Sequence, residues 1–193
     1  MTGDKLMIPF PNKKYNIIYA DPPWSFKVWT AKGGRKSASA HYNTMELENI
    51  CQLPVQKIAN NDCILFLWAT YPNLPEAFEV IKAWGFEYKT VGFTWVKMYS
   101  NGKPVCGLGY WTRSNAEICL IATKGKPKRV NKGVYQIVFS KQEGHSKKPA
   151  EVRNRIVQLM GDLPRIELFA RPPKDRLFED KSFEGWDLWG NEV

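Results

Sequence analysis

The sequence predicts an α/β fold, a mixed and mostly parallel sheet covered by helices, with one antiparallel strand pair. Three observations carry that prediction. Two short apolar runs, at 15–20 and 63–68, are rich in β-branched and aromatic residues and read as buried strands. Helical patterns follow each of them, which makes βαβ units and therefore a sandwich. Two further strand-like runs, at 86–97 and 116–123, bracket a Gly-rich excursion and fit an antiparallel pair. With 193 residues the chain suits a single domain spanning 1–193 with a substantial core.

Taken in order, residues 1–14 are polar and proline-punctuated and are expected to form a flexible surface segment. The first strand then ends abruptly in Asp21-Pro22-Pro23-Trp24. Neither proline can donate to a ladder, and each forces extended geometry on the residue before it. A carboxylate, a carbonyl with no competing partner and a large aromatic face are thereby expected together at a strand's C-terminal end. That is where open α/β sheets bind ligands. Read structurally, the same residues make only a proline turn over a core tryptophan, but an acid at a strand tip needs a partner or a task.

Residues 25–43 form a long loop holding Lys27, Trp29, Lys32, Arg35, Lys36 and Tyr42, a candidate substrate lid. Thr44 is expected to cap a short helix through Met45, Leu47, Ile50 and Cys51 that stops near Pro54. The 63–68 strand is expected to lie parallel to the first. Asn73 and Glu76 then suggest a cap for a helix whose apolar face is Leu74, Ala77, Phe78, Ile81 and Trp84, ended by Gly85. The excursion 98–115 holds Lys103, Tyr110, Trp111 and Arg113. The basic segment 124–129 is a solvated turn or a phosphate contact, and 134–139 is a short strand.

Pro149 marks the first turn of a helix carrying Val152, Ile156 and Leu159, and Lys147 and Lys148 at its start suit a carboxylate. Glu167 sits inside the apolar run 165–171, so it is a functional candidate or the partner of a buried lysine. A last strand is expected in 183–189.

Composition narrows the function. Eight tryptophans argue for a packed enzyme or a base-stacking surface, and a net charge of +9 suggests a polyanionic partner. The four cysteines lack metal or redox spacing, and two histidines make a structural zinc site unexpected. Neither a signal peptide nor an apolar span of membrane length is read, so a soluble, cytoplasmic protein without a membrane partner is expected.

Asp-Pro-Pro-Trp after a strand resembles the signature of adenine-N6 amino-methyltransferases of the MT-A70-like family. Ser146-Lys147-Lys148-Pro149 resembles that family's Ser-His-Lys-Pro, Glu167-Leu-Phe-Ala-Arg171 its Glu-Leu-Phe-Gly-Arg, and the 189–192 end its terminal Gly-Asn element. The order of these motifs is that of the permuted class, with the catalytic tetrad ahead of the cofactor motifs. The resemblance covers about residues 15–192. Three departures stand out: Ala170 for the family's Gly, Pro173-Lys174 for its His-Asn, and the lack of a Gly-x-Gly-x-x-Gly, which a cofactor without phosphate does not need.

The resemblance implies a Rossmann-like class I methyltransferase sandwich using S-adenosylmethionine. It implies a catalytic group of Asp21, Pro22, Pro23 and Trp24. It places Asp21, Lys148, Glu167, Arg171, Lys174, Asn191 and Glu192 at the cofactor. Lys27, Trp29, Lys32, Arg35, Lys36, Lys103, Tyr110, Trp111 and Arg113 are then the substrate-binding set. Asp21 and the Pro22 carbonyl would accept the N–H groups of an adenine amine, while Trp24 offers a stacking face. The compact bacterial and phage members imply DNA as substrate, with RNA the nearest alternative. A catalytically silent nucleic-acid-binding subunit is the second class of reading, and cytosine-N4 methylation a more distant one. The two loops, in a homodimer or with a partner subunit, would read the target.

Overall fold

The computed structural model describes residues 8–25, 44–109, 111–141, 147–172 and 181–190. A seven-stranded sheet forms its centre. The strands are β1 (Tyr15–Ala20), β2 (Ala59–Ala69), β3 (Glu87–Met98), β4 (Ala116–Lys124), β5 (Ile137–Lys141), β6 (Arg165–Leu168) and β7 (Trp186–Trp189). Their spatial order is β5-β3-β4-β2-β1-β6-β7. Adjacent pairs are parallel except those made by β4, which runs antiparallel to both β2 and β3. The expected mixed, mostly parallel sheet is thus present, and the antiparallel strand lies inside it.

Helices cover both faces. Tyr15, Ile18 and Ala20 face a core shared with α1 (Leu47–Cys51) and α2 (Leu74–Ala83), sealed by Trp84. Ile17 and Tyr19 face the second core with Phe66, Trp68 and α3 (Ala150–Met160). An irregular register between Tyr15 and Ile17 puts Tyr15 and Ile18 on one face despite their odd spacing. Nearly continuous burial along β1 and β2 is the mark of strands covered on both sides.

Several boundaries differ from the sequence reading. β2 extends from 63–68 to Ala59–Ala69 because its ends pair with β1 and β4. α1 begins at Leu47 with no side-chain cap, since Met45 is drawn into a parallel bridge with Trp24. Asn73 does not cap α2; its Oδ1 accepts from the Thr70 hydroxyl at 2.9 Å. Phe78 lies outside the α2 core face and meets Tyr88 edge-on at 5.0 Å, while Val80 is buried. β5 forms at Ile137–Lys141, where its partners on β3 are available, and leaves Val134 to a loop.

The end of the leading segment is docked to the fold. Phe10 packs on Trp189 with ring centroids 4.5 Å apart, and the Trp189 indole donates to the Ile8 carbonyl at 3.1 Å. An indole at the sheet margin needs both an acceptor and an apolar cover, and residues 8–10 provide them. Among the described residues no helix is long and apolar enough to cross a membrane, and no three His, Cys, Asp or Glu side chains group as metal ligands.

Candidate active site

Asp21 follows β1 directly, at the sheet's C-terminal edge. β1 crosses to β2 on one side, while β6 passes to β7 on the other, so this tip is a topological switch point. The Asp21 carboxylate, with 19% side-chain exposure, accepts from the Lys148 ammonium through Oδ2 at 2.7 Å. No described residue hydrogen-bonds Oδ1. Lys148 comes from the segment entering α3 and lies 3.3 Å from Glu117, the second residue of β4. Glu117 also takes the ammonium of Lys97, from the end of β3, at 2.5 Å. Both lysines sit over indoles, Lys148 over Trp68 and Lys97 over Trp95.

This alternating chain of two carboxylates and two ammoniums sets the local proton affinities. Burial pushes Asp21 above the usual carboxylate range, a shift that Lys148 opposes without cancelling and Glu117 adds to. Burial acts against the Glu117 charge too, but Lys148 and Lys97 together hold its carboxyl low. Lys148 is desolvated, yet its two carboxylates outweigh that and keep it firmly protonated. Glu117 and Lys97 are members of the site that the sequence reading missed. The clue was an acid within an apolar strand, the same clue that drew attention to Glu167.

Two features of the tetrad differ from expectation. The Pro22 carbonyl already accepts the Trp24 N–H at 2.8 Å, in a tight turn that the paired prolines enforce, so one lone-pair direction remains to it. Trp24 is 6% exposed, and its indole donates to the Trp68 carbonyl at 3.0 Å. The ring belongs to the core beneath the turn and has no open face for a base. The Pro23 carbonyl accepts from the Met45 N–H at 2.9 Å.

Glu167 also has a structural occupation. It is 5% exposed, and both of its oxygens are engaged by the Arg153 guanidinium of α3, at 2.5 and 2.9 Å. The partner is thus an arginine rather than a lysine, and its planar fork matches the carboxylate at two points. Just beyond β6, Phe169 adopts a left-handed φ of 60°. Gly190 packs against that turn so closely that a Cβ would meet the Ala170 nitrogen at 3.0 Å and the Phe169 Cα at 3.1 Å. Arg171 follows and lowers the Asp21 proton affinity through its charge. Lys174, Asn191 and Glu192 lie outside the described residues.

Of the substrate set, Lys103, Trp111 and Arg113 are described, and all are exposed. They lie on the 99–115 excursion, which leaves β3 beside Lys97 and re-enters β4 beside Glu117, at the Asp21 end of the sheet. Internal bonds such as Val105 to Lys97 and Gly107 to Ser114, both backbone pairs, shape it. Gly109 is required there, because a Cβ would collide with the Thr112 carbonyl at 2.0 Å. Trp111 is fully exposed. Lys27, Trp29, Lys32, Arg35, Lys36 and Tyr110 lie outside the described residues. A cleft of about 500 Å³ between α3 and the 133–135 segment includes none of these side chains.

The MT-A70 family model matches residues 15–192. The chain is similar to the Type II methyltransferase M.MunI of a Mycoplasma species, 37% identical over 98% of this chain and 82% of that protein. It is also similar to the human N(6)-adenosine-methyltransferase catalytic subunit METTL3, 27% identical over 82% of this chain but only 26% of the relative. The Arabidopsis thaliana N6-adenosine-methyltransferase non-catalytic subunit MTB is 33% identical over 62% of this chain and 15% of its own length. The chain therefore spans most of the bacterial relative but only about a quarter and a seventh of these two eukaryotic ones. With the described motif residues around one sheet edge and the family model covering all seven strands, this chain belongs to the MT-A70 family of methyltransferases.

Proposed function

We propose that the protein transfers a methyl group from S-adenosylmethionine to the N6 amine of adenine in DNA. The observation that carries this reading is the half-satisfied carboxylate of Asp21. Lys148 fixes one oxygen, and no described residue bonds the other, which lies at the switch point beside a Pro22 carbonyl with one remaining lone pair. Two acceptors so placed suit the two N–H bonds of an exocyclic amine and favour the pyramidal nitrogen that attacks. Catalysis then rests on positioning and electrostatics.

The residues present fit the cofactor. A ligand with an ammonium, a carboxylate and a sulfonium centre needs both signs of charge together, and Asp21, Lys148 and Arg171 supply them. The close turn of Phe169 and Ala170 against Gly190 keeps backbone atoms free of side-chain bulk at the same edge. Bound there, S-adenosylmethionine supplies the electrophilic methyl group. Lys148 and Arg171 would hold its carboxylate side and Asp21 its cationic side, joined by Lys174, Asn191 and Glu192. Glu167 acts from behind by fixing Arg153 and α3. Trp24 supports the Pro-Pro turn from beneath, and base stacking passes to Trp111, with Lys103 and Arg113 toward the backbone.

DNA is favoured because the compact bacterial relative matches nearly the whole chain, whereas the RNA-type likeness is weaker. The intact Asp21 and Lys148 pair argues against a silent subunit. The test is to incubate the protein with S-adenosylmethionine and random-sequence DNA or matched RNA, and to identify modified nucleosides by mass spectrometry. N6-methyladenine in DNA is the expected product. The same mark in RNA alone would move the assignment to RNA. No mark with no cofactor binding would favour the silent subunit.

A further inference from the structure

The segment 124–132 carries Lys124, Lys126, Lys128, Arg129 and Lys132, five cations in nine residues without an acid. It lies at the sheet edge opposite the candidate active site. Lys124 pairs with Cys63 at the start of the apolar part of β2, whereas Ala20, next to Asp21, pairs with Leu67. With Asp21 one residue further on, the two levels are about 16 Å apart along the strands, before the loop's own reach is added.

This loop is held in shape. The Lys126 N–H donates to Asp62 Oδ1 at 2.7 Å, and Gly125, at φ 66°, sits where a Cβ would strike the Asn61 carbonyl at 2.3 Å. On its other side the N–H groups of Val130 and Asn131 donate to the Leu159 carbonyl near the end of α3, at 2.9 and 3.3 Å. The backbone is thus pinned to β2 and to α3, while Lys126, Lys128, Arg129 and Lys132 project to solvent. Among the described residues, no carboxylate engages any of these four side chains. A solvated turn has no need of such pinning, and a pre-shaped row of cations loses little freedom on binding.

We infer that this loop is a second contact for the nucleic acid, gripping phosphodiester backbone that flanks the target adenine rather than the adenine's own strand position. The inference takes only the place of the target from the methyltransferase reading. At 3.4 Å per step, the loop lies at least about four to five base pairs from Asp21. Substrates shorter than that cannot use it.

The experiment compares wild type with Lys128→Ala/Arg129→Ala and with an equal-charge control, Lys82→Ala/Lys181→Ala, whose positions lie on α2 and on the turn before β7. Affinity is measured by fluorescence anisotropy across a salt series, on a duplex of about 24 base pairs and on a hairpin stem of about six with the adenine at its centre, only about three base pairs from either end. Each lost phosphate contact lowers the salt slope by about 0.9, so the loop variant should lose about 1.8 on the long duplex. It should match wild type on the short stem and in turnover at saturating substrate, and the control should change neither slope. An unchanged slope on the long duplex overturns the inference, as does an equal loss on the short stem. So does loop-dependent binding of phosphatidylserine vesicles with no loop effect on DNA, which would assign the surface to a membrane. Loop-dependent DNA binding by a protein that transfers no methyl group supports this inference while removing the proposed function.

Discussion

Asp21 is partly buried beside a positive charge, and each of those conditions has a separate consequence. Its replacement by Ala removes the open acceptor but leaves Lys148 with Glu117, so the fold should survive. Loss of one aimed electrostatic group in a site of this kind costs about 10²–10³ in turnover or more. Methylation assays paired with a thermal melt should therefore show a folded, nearly inactive Asp21→Ala protein; near-normal activity would remove Asp21 from the chemistry. Lys148 then governs the pH at which Asp21 serves. Burial raises the Asp21 proton affinity, Lys148 lowers it and Glu117 raises it. Because amine acceptance needs the carboxylate, turnover should fall in acid at a pH above that of an ordinary aspartate. In Lys148→Met only the two raising influences and the smaller pull of Arg171 remain, so the acid limb should move to higher pH. Measured at saturating cofactor, an acid limb that stays in place or moves down would show that Lys148 does not act through Asp21.

At the scale of elements, α3 is fastened to β6 by the Arg153–Glu167 pair, with Arg153 also 3.3 Å from the Ser182 hydroxyl and over the Phe183 ring at 3.8 Å. This one guanidinium joins the helix, the strand and the turn before β7. Arg153→Met leaves a buried carboxylate alone, which typically costs about 3–5 kcal/mol. Urea denaturation should show that loss, and a second change, Glu167→Met, should recover much of it because the stranded charge is gone. A double variant weaker than the single one would contradict this account. The same contact shows where the sequence was legible. β1 could be bounded to the residue because prolines stop a strand by local chemistry. The parallel pairing with β2 followed from two apolar runs. Glu167 was correctly marked as an acid in need of a partner, but its partner depends on which side of α3 faces the sheet. Glu117 carries the same signal, but its lysines arrive from positions 97 and 148 on other elements, which the local sequence does not show. The apolar pattern starts β5 too early because it runs on from Val134, whereas the strand's limits are set by backbone partners on β3. Trp24 could be read as platform or core, and the choice needed the Trp68 carbonyl that its indole finds.

Across the whole molecule, the two sheet edges have different electrostatic characters. The C-terminal edge pairs acids and bases in a compact chain around Lys148, while at the opposite edge no described carboxylate engages the side chains of Lys126, Lys128, Arg129 or Lys132. Stability against acid should therefore be decided at the first edge, and the direction follows from the shifts. Glu117 is held below its ordinary proton affinity by Lys148 and Lys97 despite burial. A carboxylate depressed in the folded state contributes stability that is complete above its unfolded pKa and is lost as pH falls through the folded one. Asp21 and Glu167 are shifted the other way by burial, so their linkage favours the fold below the ordinary carboxylate range and weakens as pH rises through their raised values. Glu117→Gln separates these contributions. At neutral pH it leaves two ammoniums short of a carboxylate, at a cost of about 3 kcal/mol, the low end for a buried pair because some solvent reaches Glu117. As pH falls through the folded pKa of Glu117, wild type protonates the same group and loses the same advantage. The stability gap between the two proteins should thus narrow steadily in acid, read from urea midpoints at a series of pH values. A gap that stays constant over that range would mean that the contribution of Glu117 is packing and hydrogen bonding, with no charge held between the lysines.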